Sequence, residues 1–321
     1  MSRALASLAG AQVLVTGGSG LIGRPTVAAL LAAGAVVTTL DRAPGATGTA
    51  PGDADGGQRV RVVLGDVTDT DVLAGALDGQ DAVVHLAGYA GLGMADAAET
   101  YRVNAAGTFA VFAAAAASGV GKVVYASSIN ANGYPLGVRR TMPPSLPYSE
   151  DATPAVSDEY SLSKLAGEQA AVMAHDTWGL SLTGLRFPLV RDTTLDGGRT
   201  FGAHVRAALT GDPRRQAAEG WSYLDVADAA RAVLAALLHD TPPAPGILVA
   251  APLTYLTTPT ARAAALHAPG VELGDLPGRA VGLDLTRARD VLGFEARVLL
   301  DDVAPEQLVD LELLAGSGTG G

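Results

Sequence analysis

The chain has 321 residues, 48% of them apolar, and a formal net charge of −11. That size and apolar content suffice for one large α/β core or for two lobes, while the acidic balance argues against a nucleic-acid surface and a basic membrane-binding face. The absence of cysteine excludes disulfides, thiolate-held metals and a thiol nucleophile, and the five histidines show no metal-ligand spacing.

The first informative stretch runs from Val13 to Gly23. It is an apolar run, a glycine-rich turn (Gly17, Gly18, Gly20, Gly23) and then an amphipathic run through Val27, Leu30 and Leu31. Strand, glycines and helix in that order make a dinucleotide-binding βα unit. Glycines let backbone N–H groups approach a pyrophosphate, and the helix N-terminus adds partial positive charge. A P-loop reading fails because Arg24-Pro25 follows Gly23 where Lys-Ser/Thr is needed. Leu21 and Ile22 fall in the same turn and are assigned to the cofactor with Gly17, Gly20 and Gly23.

Ala35 to Leu40 reads as a second strand, ending in Asp41. That carboxylate lies 18 residues beyond Gly23, near the ~20 expected of an acid that accepts from ribose hydroxyls. It favours NAD over NADP by repelling a 2′-phosphate; Arg42 beside it keeps NADP open. Residues 43–57 read as a flexible loop rich in Gly, Pro, Ala and Asp. A third strand at 60–64 is followed by Asp66-Val67, where an acid reaches the adenine amino group or, in the plainer reading, caps a turn. A fourth at 81–86 leads into Leu86-Ala87-Gly88, small enough for backbone to lie against the cofactor. His85 reads as a packed strand histidine. Asn104 sits inside a helix predicted at 94–118, where asparagine is disfavoured unless it makes a specific hydrogen bond or faces solvent.

The fifth strand, 121–126, ends near Ser128, whose hydroxyl can polarise a substrate oxygen or simply cap a turn. The segment from Ser128 to Tyr160 is long and carries Asn130, Asn132, Tyr134, Arg139 and Arg140, so it is expected to contribute a substrate lid. Tyr160 and Lys164 are four residues apart at the start of a helix predicted at 158–177, and so share a face. The only lysines are Lys122 and Lys164. An ammonium near a phenol favours the phenolate, so this Tyr is expected to have a lowered pKa and to exchange a proton with an alcohol while hydride moves. Beyond Arg186 prolines multiply and helices shorten, with one at about 225–239. The domains read as a dinucleotide-binding domain, 1–186; a smaller substrate lobe, 187–315, that returns elements to the main domain; and a disordered tail, 316–321. Alternating short, apolar strands and helices give the fold class, α/β with a doubly wound parallel sheet of Rossmann type. A short apolar run after Arg3 imitates a signal peptide, but Val13 to Val15 is needed as a strand, and no apolar stretch is long enough to span a membrane. The sequence therefore reads as cytoplasmic.

Together these motifs resemble the extended short-chain dehydrogenase/reductase family, its NAD-dependent epimerase/dehydratase group, over most of the chain. Thr16 to Gly23 is similar to the family's cofactor turn; Asp41, Asp66-Val67, Leu86-Ala87-Gly88 and Asn104 fall at its other cofactor positions. Ser128, Tyr160 and Lys164 match its catalytic serine, tyrosine and lysine. Arg186-Phe187-Pro188 resembles its nicotinamide-end segment, which implies a cofactor contact at Pro188. Tyr223 to Ala230 resembles the helix start after its insertion, and Asp284 to Phe294 its C-terminal signature. The resemblance implies an NAD-dependent oxidoreductase acting on a secondary alcohol or carbonyl of a sugar or sugar-acid-like substrate. Ser128, Asn130, Tyr160 and Arg191 are assigned to that substrate, and a homodimer through the helices at 94–118 and 158–177 is implied. No metal is expected. Two departures matter. Ser128-Ile129-Asn130 replaces the Thr-Asp-Glu of the dehydratases, which speaks against dehydration. Trp221-Ser222 stands before Tyr223 where nucleotide-sugar members carry a diphosphate-binding arginine; Arg199, Arg206 or Arg214 is then the expected substitute. An epimerase with transient oxidation and a non-catalytic dinucleotide sensor stay open as alternatives.

Overall fold

A computed structural model describes residues 4–43 and 60–311. Most of the predicted 43–57 loop, and the tail from 316, lie outside the described residues.

The first half alternates as the sequence predicts. Strands β1 (Gln12–Thr16), β2 (Val36–Asp41), β3 (Arg61–Leu64), β4 (Ala82–His85) and β5 (Lys122–Ser128) are joined by helices. These are α1 (Gly23–Ala32), α2 (Thr70–Leu77), α3 (Ala97–Tyr101) and α4 (Gly107–Ala117). The predicted 94–118 helix is therefore interrupted. A π-helical turn, Arg102–Ala106, joins α3 to α4 and carries Asn104. A local cap starts α2: Asp69 accepts from the N–H groups of Asp71 and Val72.

Strand β6 (Ser145–Leu146) precedes the long α5 (Glu159–Trp178), which Asp158 caps and Gly179 ends in a left-handed conformation. Next come β7 (Ser181–Phe187), β8 (Leu189–Arg191), α6 (Arg199–Gly211), α7 (Pro213–Ala218), β9 (Tyr223–Asp225) and α8 (Val226–Leu238). The chain closes with β10 (Ile247–Leu248), α9 (Thr260–His267), β11 (Glu272–Leu273), α10 (Thr286–Leu292) and α11 (Leu300–Val303).

Seven strands form one parallel sheet in the order β10-β7-β5-β4-β1-β2-β3. Apolar β-branched strands are covered on both faces, as an all-parallel sheet requires. One face packs on α1 and α8 through residues such as Val15, Leu30 and Val233, the other on α2, α4 and α5 through Leu14, Phe112 and Ala171. Strand order reverses between β1 and β4, and at such a switch point a crevice opens beyond the strand C-termini.

The second lobe has its own core, in which Trp221, Phe201, Tyr223 and Tyr255 pack with Ile129, Tyr134, Leu146 and Tyr148. The segment following Ser128 thus belongs physically to the second lobe, although the sequence assigns it to the first domain. Its aromatics complete that core. The lid expectation is corrected accordingly. Asn132 is fully buried and accepts from Arg186, the Tyr134 hydroxyl donates to the carbonyl of Thr153, and Arg140 pairs with Asp212. Of the five residues proposed as a lid, Asn130 lines the crevice.

Candidate active site

A crevice of about 450 Å³ runs from the glycine turn to the second lobe. Its near wall is the β1–α1 junction, where Gly17, Gly20, Leu21, Ile22 and Gly23 line it. Two glycines here are sterically required. Gly17 has φ +72°, and a Cβ on it would lie 2.7 Å from the Ala87 nitrogen. A Cβ on Gly23 would lie 2.0 Å from the Gly17 carbonyl oxygen, so only glycine lets α1 begin against the turn. Ser19 donates its N–H (3.2 Å) and its hydroxyl (2.7 Å) to the Asp41 carboxylate, which fixes that acid at the rim of the turn. Arg42 lies over the Tyr89 ring, 5.7 Å from its centroid. Asp66 accepts from the N–H and hydroxyl of Thr68. Burial would raise its pKa, but those bonds together with Arg102 and Arg42 hold it below the ordinary value.

Ser128, Tyr160 and Lys164 come together on the crevice floor. Register places Ser128 at the end of β5 opposite Phe187 of β7. Tyr160 lies in the first turn of α5, 5% exposed. The Ser128 hydroxyl lies beside the phenol on this floor and accepts from the Asn130 N–H at 3.1 Å. Lys164 sits 5.8 Å from the centre of the Tyr160 ring and donates to the Ala126 carbonyl at 3.0 Å. The expected lowering of the phenol pKa is not found. Burial pushes Tyr160 up to about 12 against the pull of the Ser128 hydrogen bond. Burial also pushes Lys164 down to about 8. Desolvation disfavours both charged forms, and the ammonium is spent on a carbonyl beside the ring.

Other predicted residues stand behind the wall. The Asn104 side-chain Oδ1 accepts from the Tyr89 N–H (2.8 Å), and its Nδ2 donates to the Tyr89 carbonyl (2.9 Å) and to the Ser163 hydroxyl (3.3 Å). Its side chain is committed to pinning the Gly88–Tyr89 backbone to α5 and does not line the crevice, which corrects its assignment as a direct cofactor contact. Leu86, Gly88 and Pro188 do line it. Ala87 backs the glycine turn, its N–H near the Thr16 hydroxyl at 3.3 Å, and Val67 is buried against Gly107. His85 is buried between the hydroxyls of Thr16 (2.7 Å) and Thr108 (3.1 Å), and burial drives its pKa down to about 3. It is a packed neutral histidine.

Beneath the floor, Arg186 forms a buried bidentate pair with Glu168 (2.8 and 2.7 Å). Glu168 also accepts from the Ser127 hydroxyl at 2.6 Å, and Arg186 donates to Asn132 at 2.9 Å. The network ties β5, α5, β7 and the turn after Ser128 together. Lys122, the other lysine, is structural: it donates to Ser181, Thr183 and the His239 carbonyl.

The far end of the crevice belongs to the second lobe. Asn130, Arg191, His204, Arg215, Gln216 and Glu219 line it. Arg199, Arg206 and Arg214, the expected anion ligands, are not among the lining residues; Arg206 is turned to Gln307. Arg215 donates its Nε to Glu219 at 3.0 Å. Burial raises the Glu219 pKa against the pull of Arg215 and of a hydrogen bond with Asn130. The side-chain Oδ1 of Asn130 is buried without a partner. The sequence signal for this helix was present: Asp212-Pro213 is a cap followed by proline at the first helical position, and Arg215 with Glu219 is a charged pair at i, i+4. Nothing local showed that its face meets Asn130 across the crevice.

Residues 13–251 match the model of the NAD dependent epimerase/dehydratase family. The chain belongs to that family. Its relatives within the family and its fold neighbours span several activities. It is 33% identical over 183 residues to a "3 beta-hydroxysteroid dehydrogenase/Delta 5-->4-isomerase" of Mycobacterium tuberculosis, covering 54% of this chain but only 46% of that protein. Thus the chain matches about half the length of that relative. It is 29% identical to the "dTDP-glucose 4,6-dehydratase" of Streptomyces niveus over 91% of this chain and 90% of that one. Among solved structures, a short-chain dehydrogenase/reductase superfamily protein from Agrobacterium tumefaciens with bound NAD shares the fold. Its TM-score is 0.67 at 24% identity, covering 96% of this chain and 98% of that one. MoeE5 in complex with UDP-glucose and NAD aligns with TM-score 0.64 and 26% identity, over 96% and 100% of the two chains. The seven-stranded parallel sheet with its flanking helices is the fold shared with these solved structures, and among the described residues no helix is long and apolar enough to cross a membrane.

Proposed function

We propose that this chain is an NAD-dependent oxidoreductase that moves hydride at a secondary alcohol or carbonyl of a sugar or sugar-acid-like molecule. The observation that carries the reading is the convergence of Ser128, Tyr160 and Lys164 on a crevice whose other wall is the glycine turn. The residues present fit a dinucleotide. Gly17 and Gly23 leave a backbone cradle that a Cβ would fill, and Asp41 is held at its rim by Ser19. In this reading Asp41 accepts from the adenosine ribose, and Leu86, Gly88 and Pro188 border the nicotinamide half. Asp41 favours NAD over a 2′-phosphorylated cofactor by charge repulsion, and Arg42 lies over the Tyr89 ring.

Bound nicotinamide supplies the hydride acceptor or donor. The chain's own residues handle the proton and the oxygen. The Ser128 hydroxyl orients the substrate oxygen. The Tyr160 phenol, with its pKa at about 12, holds its proton through the neutral range and donates it when a carbonyl is reduced. As a base for alcohol oxidation it needs a cation closer than the free protein provides, and Lys164 beside the ring is the group able to supply it. Asn104 and the Glu168–Arg186 pair position this floor rather than react. A sensor without catalysis would need none of these hydroxyls in the crevice.

An epimerase is the second reading, favoured by relatives named as such. One is the "UDP-glucose 4-epimerase 3" of Oryza sativa, 31% identical over 64% of this chain. Net NADH formation from purified protein, NAD and candidate sugars marks a dehydrogenase; an isomerised sugar without net NADH marks an epimerase. Full turnover in a Tyr160→Phe variant sinks both. The reading includes a cytoplasmic homodimer, for which Tyr101, Phe109 and Leu162 supply exposed apolar surface on α3, α4 and α5. Sedimentation of the purified chain as a monomer would remove that part.

A further inference from the structure

We infer that Arg191 holds a carboxylate of the substrate, so that the crevice takes a small monoanionic polyhydroxy acid in preference to a neutral sugar or a nucleoside-diphosphate sugar. This rests on the oxidoreductase reading and names its substrate class.

Charge balance at the far end of the crevice carries the inference. Arg191 ends β8, partly buried. Its Nη1 donates to the adjacent Val190 carbonyl at 2.8 Å, and among the described residues no carboxylate forms an ion pair with it. The nearby acids are committed elsewhere. Asp192 accepts from the N–H groups of Thr194 and Leu195 and from the Thr194 hydroxyl. Asp225, across from Arg191 in register, accepts from Thr193 and Ala227. A guanidinium stays charged at any biological pH, and a half-buried charge without a partner is unfavourable. Arg215 and Glu219 offset each other at 3.0 Å. His204 lines the same end, and burial together with Arg191 and Arg215 lowers its pKa. One positive charge is therefore left over, on a planar group that grips a carboxylate through two parallel hydrogen bonds.

The remaining residues define what surrounds that carboxylate. The unpartnered Asn130 Oδ1 and the Glu219 carboxylate are acceptors suited to sugar hydroxyls. A diphosphate would bring two negative charges beside Glu219, where Arg191 is the lining guanidinium with no ion-pair partner among the described residues.

The test is calorimetric titration of the NADH complex with molecules that differ only in the carboxylate. D-glucuronate is set against D-glucose, D-galacturonate against D-galactose, and UDP-glucose is the third class. The expected result is that at least one acid binds about thirty-fold or more tighter than its neutral counterpart and than UDP-glucose. Arg191→Met should erase that difference while NADH affinity stays unchanged and the thermal midpoint does not fall. Arg191→Lys should restore part of it. Equal binding of acid and neutral sugar, tighter binding of UDP-glucose, no binding of either acid, or an acid preference that survives Arg191→Met overturns the inference. Hydride transfer lost in Tyr160→Phe alongside any of these outcomes would leave the oxidoreductase reading standing; failure of NADH to bind would remove that reading first.

Discussion

The two ends of the crevice are built in opposite ways. The cofactor end is made mostly of backbone, with β1, a turn of glycines and the start of α1 lying within a dozen residues of sequence. The substrate end is made of side chains from Asn130, Arg191, His204, Arg215 and Glu219, drawn from four separate segments. The first depends on what is missing, namely Cβ atoms at Gly17 and Gly23. The second depends on what is present, namely charges placed by a separate aromatic core. A shared dinucleotide needs the same cradle in every relative, whereas substrates differ, so the first end is rigid in kind and the second is free to vary.

That contrast can be broken first at the cradle. Gly23→Ala puts a Cβ where the Gly17 carbonyl oxygen stands, and the turn cannot keep its shape. The expected outcome is loss of measurable NAD binding by calorimetry; a variant that binds as tightly as the parent shows that the turn does not hold the cofactor.

Next in size is the floor between the two ends. Glu168→Ala leaves the buried Arg186 guanidinium uncompensated, which costs about 3–5 kcal/mol. Urea unfolding should show it as a lower midpoint at an unchanged slope. Tyr160→Phe should act differently, lowering kcat roughly 10²–10⁴-fold with NAD affinity retained. An effect on affinity in place of turnover would move Tyr160 from proton transfer to binding.

A smaller effect sharpens the cofactor end through pH. Folded His85 has a pKa of about 3, against 6.5 for the exposed group. Between those values the unfolded chain binds the extra proton, so stability is complete above pH 6.5 and declines as pH falls towards 3. The slope contributed is about 1.4 kcal/mol per pH unit. Thermal midpoints of the parent and His85→Gln across that range check it, since the variant lacks this share of the acid sensitivity.

The smallest change is in cofactor choice. Asp41→Ala should reduce discrimination against NADP by about tenfold, from loss of the charge that Ser19 holds at the rim. Equal preference before and after substitution shows that Asp41 does not face the ribose.

Sequence alone determined the parts whose cause is local. Alternating apolar runs require a covered parallel sheet, glycines at fixed spacing require a tight βα turn, and Tyr160 and Lys164 share a face because a helix has 3.6 residues per turn. The tertiary structure decided whatever depends on burial and long-range contact. It placed Asn104 behind the wall and turned the segment after Ser128 into core. It raised the Tyr160 pKa where a neighbouring lysine had suggested the reverse. It also set Arg215 and Glu219 opposite Asn130. Desolvation and charge pairing are properties of the surroundings in space, and those surroundings come from residues distant along the chain.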